Sequence, residues 1–176
     1  MIPAKKRGNL VLTGMPGSGK STVSRRVAKA LNREWYDADA MIEREAGLAI
    51  NEIFERFGEE HFRALETKCL IKLLRRENTV IATGGGAILN NAGLLKKNAL
   101  VVYLERDLEG IISTMKAEKR PLVKDDPERR IRELYEKRKS LYENGCDMII
   151  TNNGSLNDAV TKITEAYYAY FGNQRP

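Results

Sequence analysis

The chain is 176 residues long, which suits one compact domain with its own core and leaves little room for a second. With 42% hydrophobic and 31% charged residues, wholesale disorder is excluded, and no apolar run approaches the roughly 18 residues that a membrane-spanning helix needs. The formal charge of +6 is concentrated at one end: residues 1–35 hold eight of the 30 basic residues and one of the 24 acids, which points to a local anionic ligand and away from a surface that coats nucleic acid. The first strand candidate is too short for a signal-peptide core. Cys69 and Cys146 are far apart without CxxC spacing, as expected of reduced thiols in a cytoplasmic protein. A single histidine, His61, excludes sites built on several histidines, HExxH zinc sites among them.

In chain order, short apolar runs alternate with helical spacings, which predicts an α/β fold with a parallel sheet. A strand is predicted over 9–13, then a helix after Lys20 carrying Val23, Val27, Ala30 and Leu31, then a strand over 34–37. Three helical segments follow: 40–46, a stripe of Ile50, Ile53, Phe54 and Phe57 closed by Gly58 as C-cap, and a stripe of Phe62, Leu65, Cys69, Leu70 and Leu73. Strands are predicted over 79–83 and 100–104; Asp107 then caps a helix with Leu108, Ile111, Ile112 and Met115. Asp126-Pro127 opens a helix whose stripe is Ile131, Leu134, Tyr135, Arg138, Leu141 and Tyr142. A last strand over 148–151 precedes a helix over Leu156–Phe171, which starts at the capping-box pattern Ser155-x-x-Asp158. Residues 38–76 hold too many helical segments for one crossover and read as an inserted subdomain. Residues 115–127 are polar and hold two prolines, and they read as a flap. The core is expected in 9–37, 79–114 and 128–171 of a single domain.

Gly14-Met15-Pro16-Gly17-Ser18-Gly19-Lys20-Ser21 matches GxxxxGK[ST] between an apolar strand and a helix, the context of a phosphate-binding loop. Glycines let backbone N–H groups approach phosphate oxygens, the helix N-terminus adds positive potential, the lysine neutralises β/γ oxygens, and the serine hydroxyl can bind Mg²⁺. No Asn-Lys-x-Asp is present to read guanine, and Asp107-x-x-Gly110 reads as a helix cap. The third strand ends in Thr83-Gly84-Gly85-Gly86 where a motor ATPase would keep an acid. The acids stand instead at Asp37-x-Asp39, where residues i and i+2 of an extended segment share a face and can aim at one cation; the alternative is a strand end followed by a helix cap. Arg138 on an apolar stripe needs an anion, from either a structural carboxylate or a substrate acid. Arg63 can pair with Glu59 or Glu66 on its own helix, or reach past the core. Arg120 is either an arginine finger in cis or a solvated loop charge.

The P-loop, Asp37-x-Asp39, Phe62-Arg63, Gly84-Gly85-Gly86, Arg120-Pro121-Leu122 and Lys137-Arg138-x-x-Leu141-Tyr142 occur in an order and spacing that resemble the shikimate kinase family, over about residues 9–163. The resemblance implies a three-layer α/β/α P-loop kinase fold with a five-stranded parallel sheet, a helical substrate-binding insert and a lid. It implies ATP-dependent phosphorylation of the 3-hydroxyl of shikimate in chorismate and aromatic amino-acid synthesis, by a cytoplasmic monomer with no nucleic-acid or membrane partner. By matching position, Gly14, Pro16, Gly17, Ser18, Gly19, Lys20, Ser21 and Thr22 would cradle ATP, with Arg120 beside them. Lys20 and Arg120 would stabilise the transferring phosphoryl group, and Ser21 and Asp37 would hold Mg²⁺. Asp39 would orient or deprotonate the nucleophile. Arg63 and Arg138 would clamp the substrate carboxylate with help from Gly84, Gly85 and Gly86, and Phe54 and Phe62 would line the pocket. Ser113-Thr114 stands where many relatives carry Arg-Thr, whose arginine packs on adenine, and Asn152-Asn153-Gly154 lacks an arginine seen in some relatives. A related kinase such as a gluconate kinase also needs an arginine-bound carboxylate, and a nucleoside monophosphate kinase would want a base pocket. A non-catalytic nucleotide-binding relative would have lost part of Lys20, Asp37, Asp39 or Arg120.

Overall fold

A computed structural model describes residues 7–117 and 126–172. The elements run β1 (Leu10–Thr13), α1 (Lys20–Leu31), β2 (Glu34–Asp37), α2 (Ala38–Ala46), α3 (Ile50–Leu74), β3 (Thr79–Ala82), α4 (Ala87–Asn98), β4 (Leu100–Glu105), α5 (Leu108–Ala117), α6 (Pro127–Gly145), β5 (Met148–Thr151) and α7 (Leu156–Phe171). All strand pairs are parallel, in the order β2-β3-β1-β4-β5. The α/β fold and the five-stranded sheet are as the sequence predicts.

Strand composition follows position in the sheet. β1 and β3 are buried throughout, and β4 all but its last residue, because helices cover both faces; their apolar runs therefore show no alternation. Successive residues serve opposite layers. Val11, Ile81, Val101 and Tyr103 pack in a core shared with α2, α3, α4, α5 and α6. Leu10, Leu12, Val80, Leu100, Val102 and Leu104 pack in a second core under α1 and α7. Edge strand β5 alternates, with Met148 and Ile150 half-buried and Ile149 exposed.

Several predicted caps are in place: the side chains of Asp107, Asp126 and Ser155 accept from the backbone N–H groups of Gly110, Arg129 and Asp158. Gly58, predicted to end a helix, breaks α3 instead at φ 82°, ψ 172°. Just before that break Phe57 leaves its predicted stripe: it is 54% exposed and its ring lies against His61. Leu141, placed on the apolar stripe of α6, is also exposed.

Helix α4 has no counterpart among the predicted elements. Its buried face is Ala87, Ile88, Asn91 and Leu95, so a polar residue holds a core position and breaks the apolar period. Asn91 is accommodated because its amide donates to the Ala87 carbonyl and its oxygen accepts from Thr67, at 3.1 and 2.9 Å. Gly93 further weakens the local helical signal.

Asn9, fully buried, joins the start of β1 to the α3–β3 turn. Its amide donates to the carbonyls of Leu74 and Arg76, and its oxygen accepts from the backbone and hydroxyl of Thr79. Asn9→Ala strands these partners in a dry environment and is expected to cost about 2–4 kcal/mol, read as a lowered urea midpoint.

Candidate active site

The strand order reverses about β1, with β3 and β2 on one side and β4 and β5 on the other. In open α/β sheets, ligands bind at the carboxyl ends of strands near such a reversal. Here a cavity of about 730 Å³ opens there, a size typical of small-molecule sites. The loop after β1 supplies Pro16, Gly17, Gly19, Lys20, Ser21 and Thr22 to its wall. Gly14 and Ser18 lie within the loop: the Gly14 carbonyl accepts from Lys20, and Ser18 is fully buried. Gly19 caps α1 at φ 93° with no side-chain bond, and α1 has no acid in its first turn, so its positive end faces the cavity. The Lys20 ammonium is buried and donates to the Gly14 and Met15 carbonyls at 2.9 and 2.8 Å.

The acids come from the β2–α2 junction. Asp37 accepts from Ser21 Oγ at 2.7 Å through one oxygen and caps α2 through the other, which accepts from Ala40 N–H at 3.2 Å. The expectation that Asp37 and Asp39 share the face of an extended segment is therefore corrected. The cap starts α2 at Ala38, and Asp39 reaches the cavity from the helix's first turn. Burial, the Asp37 carboxylate and then Glu66 push the Asp39 pKa up to about 6, against the pull of Lys20. Asp39 Oδ1 has no hydrogen-bond partner among the described residues.

The Gly84-Gly85-Gly86 turn lets side chains approach closely. A Cβ at Gly84 would lie 2.6 Å from Asp39 Oδ1, and one at Gly86 would lie 2.3 Å from the Arg63 guanidinium. Arg138 donates to the Gly85 carbonyl at 3.3 Å, and the Tyr142 hydroxyl donates to the same oxygen. Arg63 bonds Glu59 and Glu66 of its own helix. Glu66, 1% exposed, ties the two arginines together electrostatically. Burial raises its pKa, while Arg63 and then Arg138 oppose the rise. The rings of Phe54 and Phe62 lie in contact, tilted by 33° with centroids 4.6 Å apart, Phe62 within the core.

A family model described as shikimate kinase matches residues 16–168. The chain belongs to the shikimate kinase family. A shikimate kinase from Caldanaerobacter subterraneus subsp. tengcongensis is 40% identical over 163 residues, 90% of this chain and 95% of that protein. A solved structure of a shikimate kinase from Acinetobacter baumannii in complex with shikimate has a TM-score of 0.86 at 38% identity, covering 94% of this chain and 95% of that one. The shikimate kinase from Aquifex aeolicus has a TM-score of 0.80 at 32% identity, covering 93% and 99%. The kinase class and the use of ATP follow from this membership.

Among the residues carried over from the shikimate kinase family, Pro16, Gly17, Gly19, Lys20, Ser21, Thr22, Asp37, Asp39, Gly84 and Gly85 line one cavity. Arg63, Gly86 and Arg138 are not on its wall but gather behind the glycine turn, around Glu66. Phe54 and Phe62 do not line it either. Arg120 and most of the expected lid lie outside the described residues. Eight lining residues were not singled out as site residues: Ile50, Asn51, Thr83, Arg106, Thr114, Asn152, Gly154 and Leu156. Nor was Glu66, which carries the pattern of an ordinary helix-surface acid. Arg63→Ala removes the hydrogen-bonding partner of the buried Glu66 carboxylate. It is expected to cost about 3 kcal/mol, visible as a lower melting temperature, with little of that from the exposed Glu59.

Proposed function

We propose that the chain transfers the γ-phosphoryl group of ATP to the 3-hydroxyl of shikimate, giving shikimate 3-phosphate and ADP. The observation that carries this reading is Asp39. A carboxylate oxygen without a hydrogen-bond partner among the described residues shares a cavity wall with the phosphate-binding Lys20 and Ser21, one glycine turn away from Arg63 and Arg138. Asp39 accepts the proton of the acceptor hydroxyl. The hydroxyl oxygen forms a bond to the γ-phosphorus, the bond from that phosphorus to the β–γ bridging oxygen breaks, and its electron pair leaves on ADP. Lys20 and the N–H groups at the start of α1 stabilise the charge that develops, and Arg120 adds to them. Arg63 and Arg138 hold the acceptor carboxylate, and Gly84–Gly86 backbone groups assist. Phe62, with Phe54 packed against it, forms the apolar support behind Arg63.

Ser21 Oγ and Asp37 Oδ2, 2.7 Å apart, are hard oxygen donors within reach of one cation, which fits magnesium. No cluster of three or more His, Cys, Asp or Glu suited to a metal occurs among the described residues, in keeping with an ion that takes its other oxygens from phosphate and water. Bound there, the ion would neutralise charge on the β- and γ-phosphate oxygens. The same reading divides the domain into a core, an acceptor-side unit over 38–76 and a lid over 115–127, acting as a cytoplasmic monomer. No described helix is long and apolar enough to cross a membrane.

Coupled ADP release tests the proposal with shikimate, gluconate and AMP offered separately. Turnover is expected with shikimate alone and should vanish in EDTA. No turnover on shikimate, or faster turnover on gluconate or AMP, overturns it.

A further inference from the structure

Another cavity, of about 450 Å³, lies at the opposite end of the sheet from the phosphate-binding loop. Its walls include the segments that enter the strands, with Arg7 before β1, Arg33 before β2 and Glu77 before β3, and Tyr167 and Phe171 of α7. The nucleotide and the acceptor of the reading above meet at the carboxyl ends of the strands, so neither occupies it. The walls are tied to one another. The Tyr167 hydroxyl donates to the Gly8 carbonyl at 2.8 Å, the Asn78 N–H donates to the Arg7 carbonyl at 2.7 Å, and Arg7 Nη1 donates to the Arg75 carbonyl at 3.0 Å. Gly8, at φ 66°, lets the two turns meet: a Cβ there would lie 2.3 Å from Asn78 Oδ1.

Arg33 is half-buried in this wall and lacks an anion. Its buried Nε has no hydrogen-bond partner among the described residues, and none of their carboxylates pairs with it. The guanidinium lies near the Tyr167 hydroxyl: burial pushes that group's pKa up, and the Arg33 charge opposes the rise. A partly desolvated cation without a counter-charge is unfavourable, and an acid bound in the cavity relieves it. The Tyr167 and Phe171 rings, with centroids 4.8 Å apart, give the same cavity an aromatic wall on which a further ring can pack. Glu77 repels a polyanion, so one carboxylate fits better than a phosphate ester or a nucleotide. We propose that this cavity is a second ligand site of the chain, for a small aromatic monocarboxylate. The acid pairs with Arg33, and the ring packs on Tyr167 and Phe171.

Calorimetric titration with 3-phenylpropionate tests this, with magnesium, ADP and saturating shikimate present to fill the kinase cavity. A Kd below about 1 mM is expected, about tenfold below that of propionate, which has the acid without the ring. Arg33→Gln is expected to weaken 3-phenylpropionate about tenfold and to leave turnover unchanged, while Arg138→Ala leaves probe affinity within about twofold. Wild-type probe affinity in Arg33→Gln overturns the proposal. So does a Kd above about 1 mM, or equal affinity for propionate. An equal loss in Arg138→Ala also overturns it, since the probe would then sit in the acceptor site. If Arg33→Gln shows no cooperative unfolding, Phe171→Leu decides, because it keeps apolar volume and loses the ring. A loss of about threefold is expected there, and wild-type affinity overturns the proposal. The readout is binding apart from the kinase cavity, so an absence of turnover on shikimate would leave this result intact.

Discussion

Asp39→Asn is expected to lower kcat by a factor of about 10²–10⁴, the usual contribution of a positioned general base, while making the nucleotide-free protein more stable. The second effect follows from electrostatics. Burial, and then the nearby Asp37 and Glu66, raise the Asp39 pKa from its usual 3.8 to about 6. The folded state therefore binds this proton more tightly than the unfolded chain. Stability is lost as pH rises from about 4 to about 6, and the full penalty persists above that window. A shift of this size corresponds to about 2–3 kcal/mol, all of which a neutral asparagine avoids. In EDTA without nucleotide, urea midpoints at pH 7 should favour the variant, and the difference should shrink toward zero near pH 4. Retained turnover would remove the proposed proton-accepting role. Equal stability at pH 7 would mean that Asp39 is not held in the repulsive environment described. The two readouts together place a functional cost at this residue: the charge that serves transfer is the one the fold disfavours.

The division between what was legible in the sequence and what was not has physical causes. The central strands were legible because burial on both faces forces uninterrupted apolar runs such as Leu10-Val11-Leu12. The phosphate-binding loop was legible because its chemistry is local: eight consecutive residues carry the turn, the ammonium and the hydroxyl. Helix α4 was not, because Asn91 satisfies itself in the core and so erases the apolar period. Strand alternation brings the two aspartates to one cavity in the sequence, whereas in the structure a helix start does so: Asp37 caps α2 with one oxygen and meets Ser21 with the other, and Asp39 follows in the first turn. Glu66 and Arg106 were missed for a different reason. Each sits in an unremarkable local pattern: Glu66 reads in the sequence only as a helix partner of Arg63, a pairing that the structure contains, whereas its coupling to Arg138 and the bond of Arg106 to Gly17 join residues distant in the chain.

Arg138→Ala is expected to raise the KM for shikimate by about 30- to 1000-fold, the range seen when one partner of a desolvated charge pair is truncated, with the KM for ATP within about threefold. The contrast with Arg63 makes this residue the cleaner probe. The Arg63 guanidinium is bonded to two carboxylates, so removing it strips the buried Glu66 of its hydrogen-bonding partner and perturbs the fold along with the site. Arg138 donates to the Gly85 carbonyl, and that oxygen keeps the Tyr142 hydroxyl when the guanidinium is gone. The glycine turn then stays satisfied, and the melting temperature should move little. Arg138→Lys, which keeps the charge and loses the planar fork, should restore part of the affinity. Arg138 lies behind Gly85, and the phosphate-binding loop reaches the cavity from β1, so a carboxylate-binding arginine should leave nucleotide affinity alone. An equal loss of ATP and shikimate affinity would show instead that Arg138 braces the Gly84–Gly86 turn, and that the acceptor's acid is held by Arg63 and backbone groups without it.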